Sequence, residues 1–129
     1  MKTISTFIIA HEDFAAAILR TVEKVLGPQA QVTTFSNQQD ALPVLLQKIL
    51  KQIKAEQAEK VVVFIDLKGG SCWNLAGMLR QHCPQLTAIA GVNLPMLISY
   101  FSYRNELDFD DLLNKAILDG GKGITRLEV

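Results

Sequence analysis

Cysteine is scarce in this 129-residue chain, with only Cys72 and Cys83 present. If one helix joins them, eleven positions place them about 16 Å apart, beyond the ~7 Å Cα reach of a disulfide. Both read as free thiols, which suits a reducing cytosol. Net charge is absent too. Thirteen Lys and Arg balance thirteen Asp and Glu, with a pI of about 6.7. Phosphate backbones select net basic surfaces, so nucleic acid is not expected as a partner. No apolar run approaches the ~20 residues of a membrane helix. The longest, Val61 to Ile65, is strand-sized. Met1-Lys2-Thr3-Ile4 lacks the apolar stretch and small-residue cleavage site of a signal peptide, so a cytoplasmic location is expected. Neither a Walker P-loop nor a GxGxxG fingerprint occurs, which disfavours a nucleotide cofactor. His82-Cys83 has no second ligand pair at a zinc-like spacing, so no metal is expected.

What is present is an alternation of strand and helix signals. The length fits one domain over residues 1–129, and 49% of the residues are apolar, enough for a core without disulfides. Ile4 to Ala10 reads as a buried strand. Phe14, Ala15, Ile18, Leu19, Val22, Val25 and Leu26 recur at helical spacing until Gly27-Pro28. Gln31 to Phe35 is a short strand. Asp40 is placed to cap a second helix, with Pro43 in its first turn and Leu42, Leu45, Leu46, Ile49 and Ile53 as its stripe. Val61 to Ile65 is apolar on both faces, as a central parallel strand requires. Gly69-Gly70-Ser71 opens a third helix ending near His82. Leu86 to Val92 is a fourth strand. Pro95 starts a helix through Tyr103. Asp108 starts another, with Phe109, Leu112, Leu113 and Ile117 inside and Gly120-Gly121 at its end. Ile124 to Val129 alternates as a last strand would. The order implies a doubly wound α/β fold, mainly parallel, with helices on both faces.

Ligands of such sheets bind beyond the carboxyl ends of the strands. His11, Asp66 and Asn93 each follow a strand and share that edge. If the first and third strands are neighbours, His11 and Asp66 are close. A carboxylate accepting the proton of one imidazole nitrogen fixes the tautomer and leaves the other nitrogen nucleophilic. Gly69 and Gly70 let backbone approach a ligand, and the helix that follows offers free N–H groups suited to a phosphoryl group. Ser71 can cap that helix or donate to an oxyanion. The same residues admit a rival. Cys72 lies in a first helical turn, and with His11 as base and Asp66 as orienter it could serve a Cys-His hydrolase.

The segments Ile8-Ile9-Ala10-His11 with Phe14-Ala15, Asp66-Leu67-Lys68-Gly69-Gly70-Ser71 with Asn74, and Gly91-Val92-Asn93-Leu94-Pro95-Met96 occur in order. On these residues the chain resembles the enzyme IIA domain of the mannose family of the bacterial sugar phosphotransferase system. The resemblance implies that His11 takes a phosphoryl group on Nε2 from the phosphocarrier HPr and passes it to a IIB domain. It implies Asp66 as orienter through Nδ1 and Gly69, Gly70 and Ser71 as the phosphoryl-binding lining. Membrane IIC and IID components would be indirect partners, and no metal or nucleotide would be needed. A regulatory module, phosphorylated on His11 for signalling, is the alternative within the family. The resemblance also implies a homodimer in which the C-terminal strand crosses, antiparallel, to the partner's sheet. Two positions depart from the family pattern. Gly commonly follows the histidine, where this chain has Glu12, and Pro commonly follows Gly-Gly-Ser, where it has Cys72.

Overall fold

The computed structural model describes residues 3–128. Four strands, β1 (Ile4–Ala10), β2 (Val32–Ser36), β3 (Lys60–Ile65) and β4 (Leu86–Ala90), form one all-parallel sheet in the order β2-β1-β3-β4. Between and after them run α1 (Phe14–Leu26), α2 (Leu42–Glu56), α3 (Ser71–His82), α4 (Leu94–Tyr103) and α5 (Phe109–Lys122). The helices cover both faces, as the alternating pattern predicts. Side chains of a strand alternate between faces, so β1 and β3 feed two cores. Phe7, Ile9, Val61, Val63 and Ile65 pack under α2 and α3. Ile8, Ala10, Val62 and Phe64 pack under α1, α4 and α5. Each such Val, Ile or Phe side chain, fully buried, contributes about 1.5–3 kcal/mol.

The chain leaves β1 toward β2 on one side and returns to place β3 on the other. The strand order therefore reverses between β1 and β3, where Ile9 stands beside Ile65. A crevice forms at such a reversal, outside the strand ends. One buried polar pair stiffens this centre from below. The Thr6 and Tyr100 hydroxyls lie 2.6 Å apart, and the Tyr100 ring meets Phe64 edge-on. Burial pushes the Tyr100 hydroxyl up to about 12, against a smaller lowering by the Thr6 hydrogen bond.

Several sequence expectations need correction. Asp40 does not cap α2. The N-cap is Ala41, and Asp40 instead accepts from Lys48 Nζ at 2.6 Å. Phe14 and Val25 do not join the buried stripe of α1 but are 40% and 63% exposed. At 100° per residue both lie to one side of Val22, outside the arc that Ala15 and Val22 bury. Ile117 is likewise exposed, and Ala116 takes the inward place on α5. That helix does not stop at Gly120-Gly121 but runs to Lys122. Gly120 is needed for close packing, since a Cβ there would come within 2.9 Å of Met96 Cβ. Residues 124–128 form no strand within this single chain, and Ile124 and Leu127 are 80% and 95% exposed. Val129 lies outside the described residues. Both cysteines are free, as expected, and both are buried. Among the described residues, no helix is long and apolar enough to cross a membrane.

Candidate functional site

His11 is the first residue beyond β1 and Asp66 the first beyond β3, and β1 pairs with β3. The topology alone thus brings together residues 55 positions apart. Asp66 Oδ2 accepts twice from His11, from the backbone N–H at 2.9 Å and from Nδ1 at 2.8 Å. Asp66 Oδ1 accepts from the Leu67 N–H at 2.9 Å. Burial pushes the Asp66 carboxyl up, but the hydrogen bonds from His11 and Leu67 outweigh it and hold the carboxyl below its ordinary range. An ionised carboxylate only accepts, so the ring nitrogen facing it carries the hydrogen. The lone pair is then on Nε2. The His11 side chain is 37% exposed while that of Asp66 is 11% exposed, so the orienter is sheltered and the imidazole is open.

The turn after β3 completes the notch. Gly69 adopts φ +92°, a left-handed conformation that favours glycine. Gly70 sits against the imidazole, where a Cβ would lie 3.1 Å from Cε1 and 3.5 Å from Nε2. Gly70 is also the N-cap of α3, so Ser71 is the first helical residue and does not cap. The first-turn N–H groups of a helix lack intrahelical acceptors, and here they begin beside Nε2. Lys68 is exposed on the same turn.

Asn93 shares the edge but belongs to the scaffold. Its Oδ1 accepts from the Met96 N–H and its Nδ2 donates to the Gly120 carbonyl, both at 2.9 Å, which ties α4 to α5. Cys72 is 1% exposed in the core under α2 and α3. Burial pushes its thiol up, and the Asp66 charge pushes it further. It is the reverse of an activated nucleophile, which removes physical support from the hydrolase reading. Glu12, where the resemblance leads one to expect Gly, adopts φ +53°. Its carboxylate accepts from Gln38 Nε2 at 2.6 Å and its N–H donates to Asn37 Oδ1 at 3.3 Å. Sequence reasoning did not find this link to the β2–α2 loop. The one signal was a non-glycine at a position where the family favours glycine.

Fold and site together define the class: a doubly wound α/β domain with an aspartate-paired histidine at the switch point of its parallel sheet. The family model described as "PTS system fructose IIA component" matches residues 5–117. The chain is 32% identical over 133 aligned positions to the mannose-specific EIIAB component of Escherichia coli K12, covering 98% of this chain. It spans only 40% of that relative's length. It is 29% identical to the sorbose-specific EIIA component of Klebsiella pneumoniae, over 84% of this chain and 81% of that one. Among solved structures, the mannose/sorbose-specific IIA subunit from Enterococcus faecalis superposes with a TM-score of 0.81 at 25% identity, covering 100% of this chain and 97% of that one. The phosphotransferase system component EIIA from Streptococcus agalactiae gives a TM-score of 0.86 at 24% identity over 96% and 97% of the two chains. The chain belongs to the mannose-family enzyme IIA components of the sugar phosphotransferase system.

Proposed function

We propose that this chain is a phosphocarrier that accepts a phosphoryl group on His11 Nε2 from HPr and passes it to a IIB domain or subunit during sugar uptake. The observation that carries the reading is the Asp66 Oδ2 to His11 Nδ1 contact at 2.8 Å, which leaves Nε2 as the free, exposed nitrogen. The Nε2 lone pair attacks phosphorus, the bond from phosphorus to the donor breaks, and the N–P bond forms. The ring becomes formally cationic while Nδ1 keeps its hydrogen, and the adjacent Asp66 carboxylate offsets that charge. Transfer onward reverses these bond changes at a IIB acceptor, with no proton moved. Gly69, Gly70 and Ser71 line the incoming group, Gly70 by leaving room at the ring edge and Ser71 by opening a helix whose N–H groups favour an anion.

In this reading the chain works as a single IIA domain in the cytoplasm and meets the membrane IIC and IID components only through IIB. It acts as a homodimer. The open edge of β4 and the exposed Ile124 and Leu127 support exchange of the C-terminal segment as an antiparallel strand. The test is incubation with phosphoenolpyruvate, enzyme I and HPr, followed by intact mass. One phosphoryl group should be gained, lost in acid, kept in alkali and absent from His11→Ala. Adding IIB should remove it. No mass gain refutes the carrier reading, and a label that IIB cannot remove turns the assignment toward the signalling module.

A further inference from the structure

Three side chains able to ligate a metal converge at the sheet edge. One ligand atom from each of His11, Asp66 and Cys72 lies within 4.8 Å of the other two. Asp66 and Cys72 flank the turn after β3, and β1 delivers His11 across to them. The imidazole is 37% exposed and forms the rim, while the 1%-exposed Cys72 forms the floor. We propose that this triad binds a zinc-class divalent cation, and that the bound metal shuts off phosphoryl transfer through His11.

The donor set decides the metal. An imidazole nitrogen, a carboxylate oxygen and a thiolate sulfur suit zinc, whereas magnesium and calcium take oxygen sets. Zinc bonds of about 2.0–2.3 Å in a tetrahedron place ligand atoms ~3.3–3.7 Å apart. The His11–Asp66 contact of 2.8 Å must therefore open by less than about 1 Å, and no pair begins beyond 4.8 Å. Three protein ligands leave a fourth position for water, as in open zinc sites. Binding displaces the hydrogens on His11 Nδ1 and Cys72 Sγ; the neutral imidazole keeps its hydrogen by moving it to Nε2, and the thiol proton leaves to the buffer. A metal deprotonates a coordinating thiol, so the property that makes Cys72 a poor nucleophile does not bar it as a ligand.

The effect on transfer rests on the carrier reading; the binding does not. Metal on Nδ1 takes Asp66 from the ring and holds the ring hydrogen on Nε2, so the nucleophile loses its orienter and its lone pair together. A proline after Gly-Gly-Ser could not supply the third ligand, which makes the site a property of chains carrying Cys at this position.

Cobalt(II) is the probe. Titrated without oxygen into the full chain, one equivalent should produce a near-ultraviolet thiolate-to-cobalt charge-transfer band that zinc abolishes. Cys72→Ser and His11→Ala should lack the band, and Cys83→Ser should keep it. Zinc affinity should fall in Cys72→Ser by at least about 100-fold, the upper end of what changes outside the ligand set cause. A wild type without the band, or a band that survives in Cys72→Ser, overturns the site. Circular dichroism checks folding of each variant. If Cys72→Ser does not fold, His11→Ala, at an open position, carries the same comparison. In a second arm, one equivalent of zinc should slow phosphorylation of wild type at least tenfold relative to its own metal-free rate and leave the Cys72→Ser ratio near one. Equal ratios overturn the inhibition. If wild type is never phosphorylated, the carrier reading fails, and the cobalt band still decides the metal site.

Discussion

Asp66→Asn tests the orienting pair most directly, because the amide is almost isosteric and only charge and hydrogen-bond polarity change. Asp66 accepts from three donors, the His11 N–H, His11 Nδ1 and the Leu67 N–H, at 2.8–2.9 Å. An amide has one oxygen, so at least one of those donors must face an NH2 group. If the oxygen faces His11, Leu67 loses its acceptor and the tautomer survives. If the NH2 faces His11, it donates to Nδ1, the hydrogen moves to Nε2, and the nucleophilic lone pair is gone. In both arrangements the charge that offsets the phosphorylated ring is absent. Losing one hydrogen bond to a charged group costs about 1.5–3 kcal/mol of stability. The phosphorylation rate should fall by about 10²–10⁴. Quenched-flow phosphorylation at saturating phospho-HPr gives the rate, and urea unfolding gives the stability. The stability gap must also depend on pH with a fixed sign. The folded carboxyl lies below its ordinary value of 3.8, so its contribution is complete above that value and is lost as pH falls through the folded value. The gap between wild type and Asp66→Asn should hold steady above about pH 5 and close in stronger acid. An unchanged rate, or a gap that widens as pH falls, refutes the reasoning.

Gly70→Ala should keep the fold, because φ −95° and ψ −174° suit any residue, but its Cβ would press within 3.1 Å of the His11 ring; a thermal melt close to wild type with phosphorylation slowed about tenfold or more is the expected pair of results. Tyr100→Phe should flatten the alkaline limb of stability. The hydroxyl is held up to about 12 in the folded chain against 10.0 ordinarily, so wild type loses about 1.4 kcal/mol per pH unit between those values, roughly 3 kcal/mol in all, while the variant starts lower and lacks that slope in urea unfolding. A chain ending at Gly123, which retains all of α5, should be monomeric by light scattering at concentrations where the full chain is dimeric; a monomeric full chain at micromolar concentration would sink the exchange of the C-terminal segment.

The centre of the sheet was legible because β1 and β3 are buried on both faces and read as mostly apolar runs. Ile4 to Ala10 has the same bounds in sequence and structure, and the run at Val61 to Ile65, apolar on both faces, could only be central. The pair His11 and Asp66 was legible for the same reason: once β1 and β3 are neighbours, the first residues past their ends must meet. Asn93 looked like a third member because position at an edge says nothing about where a side chain's hydrogen bonds go. Its bond from the Met96 N–H is a local helix cap, but its bond to the Gly120 carbonyl depends on α5 packing against α4, a contact 27 residues away with no local signal. Cys72 was ambiguous for a similar reason. A first-turn thiol looks activated by the helix, but its burial and its proximity to Asp66 are set by tertiary packing, and they push the thiol the other way.

Glu12 is where sequence pattern and backbone physics disagree most openly. A side chain at φ +53° costs about 1–2 kcal/mol relative to right-handed backbone, and glycine avoids that strain at a smaller cost in unfolded-state entropy, about 0.5–1 kcal/mol. The hydrogen bond to Gln38, on an exposed surface, returns about 0.5–1.5 kcal/mol. These contributions nearly cancel, so stability alone does not determine the choice of residue here, and charge does. A carboxylate about 10 Å from a dianionic phosphoryl group opposes it by ~0.8 kcal/mol in water, a few-fold in rate, and salt removes most of that. Two variants separate the contributions. Glu12→Gln keeps the left-handed backbone and can still meet Gln38, while Glu12→Gly removes strain and contact together. Both should raise the rate of phosphoryl acceptance by a similar few-fold factor at low ionic strength, and both gains should vanish near 1 M salt. If Glu12→Gly gains rate and Glu12→Gln does not, backbone strain rather than charge limits acceptance, and the electrostatic account of this position is wrong.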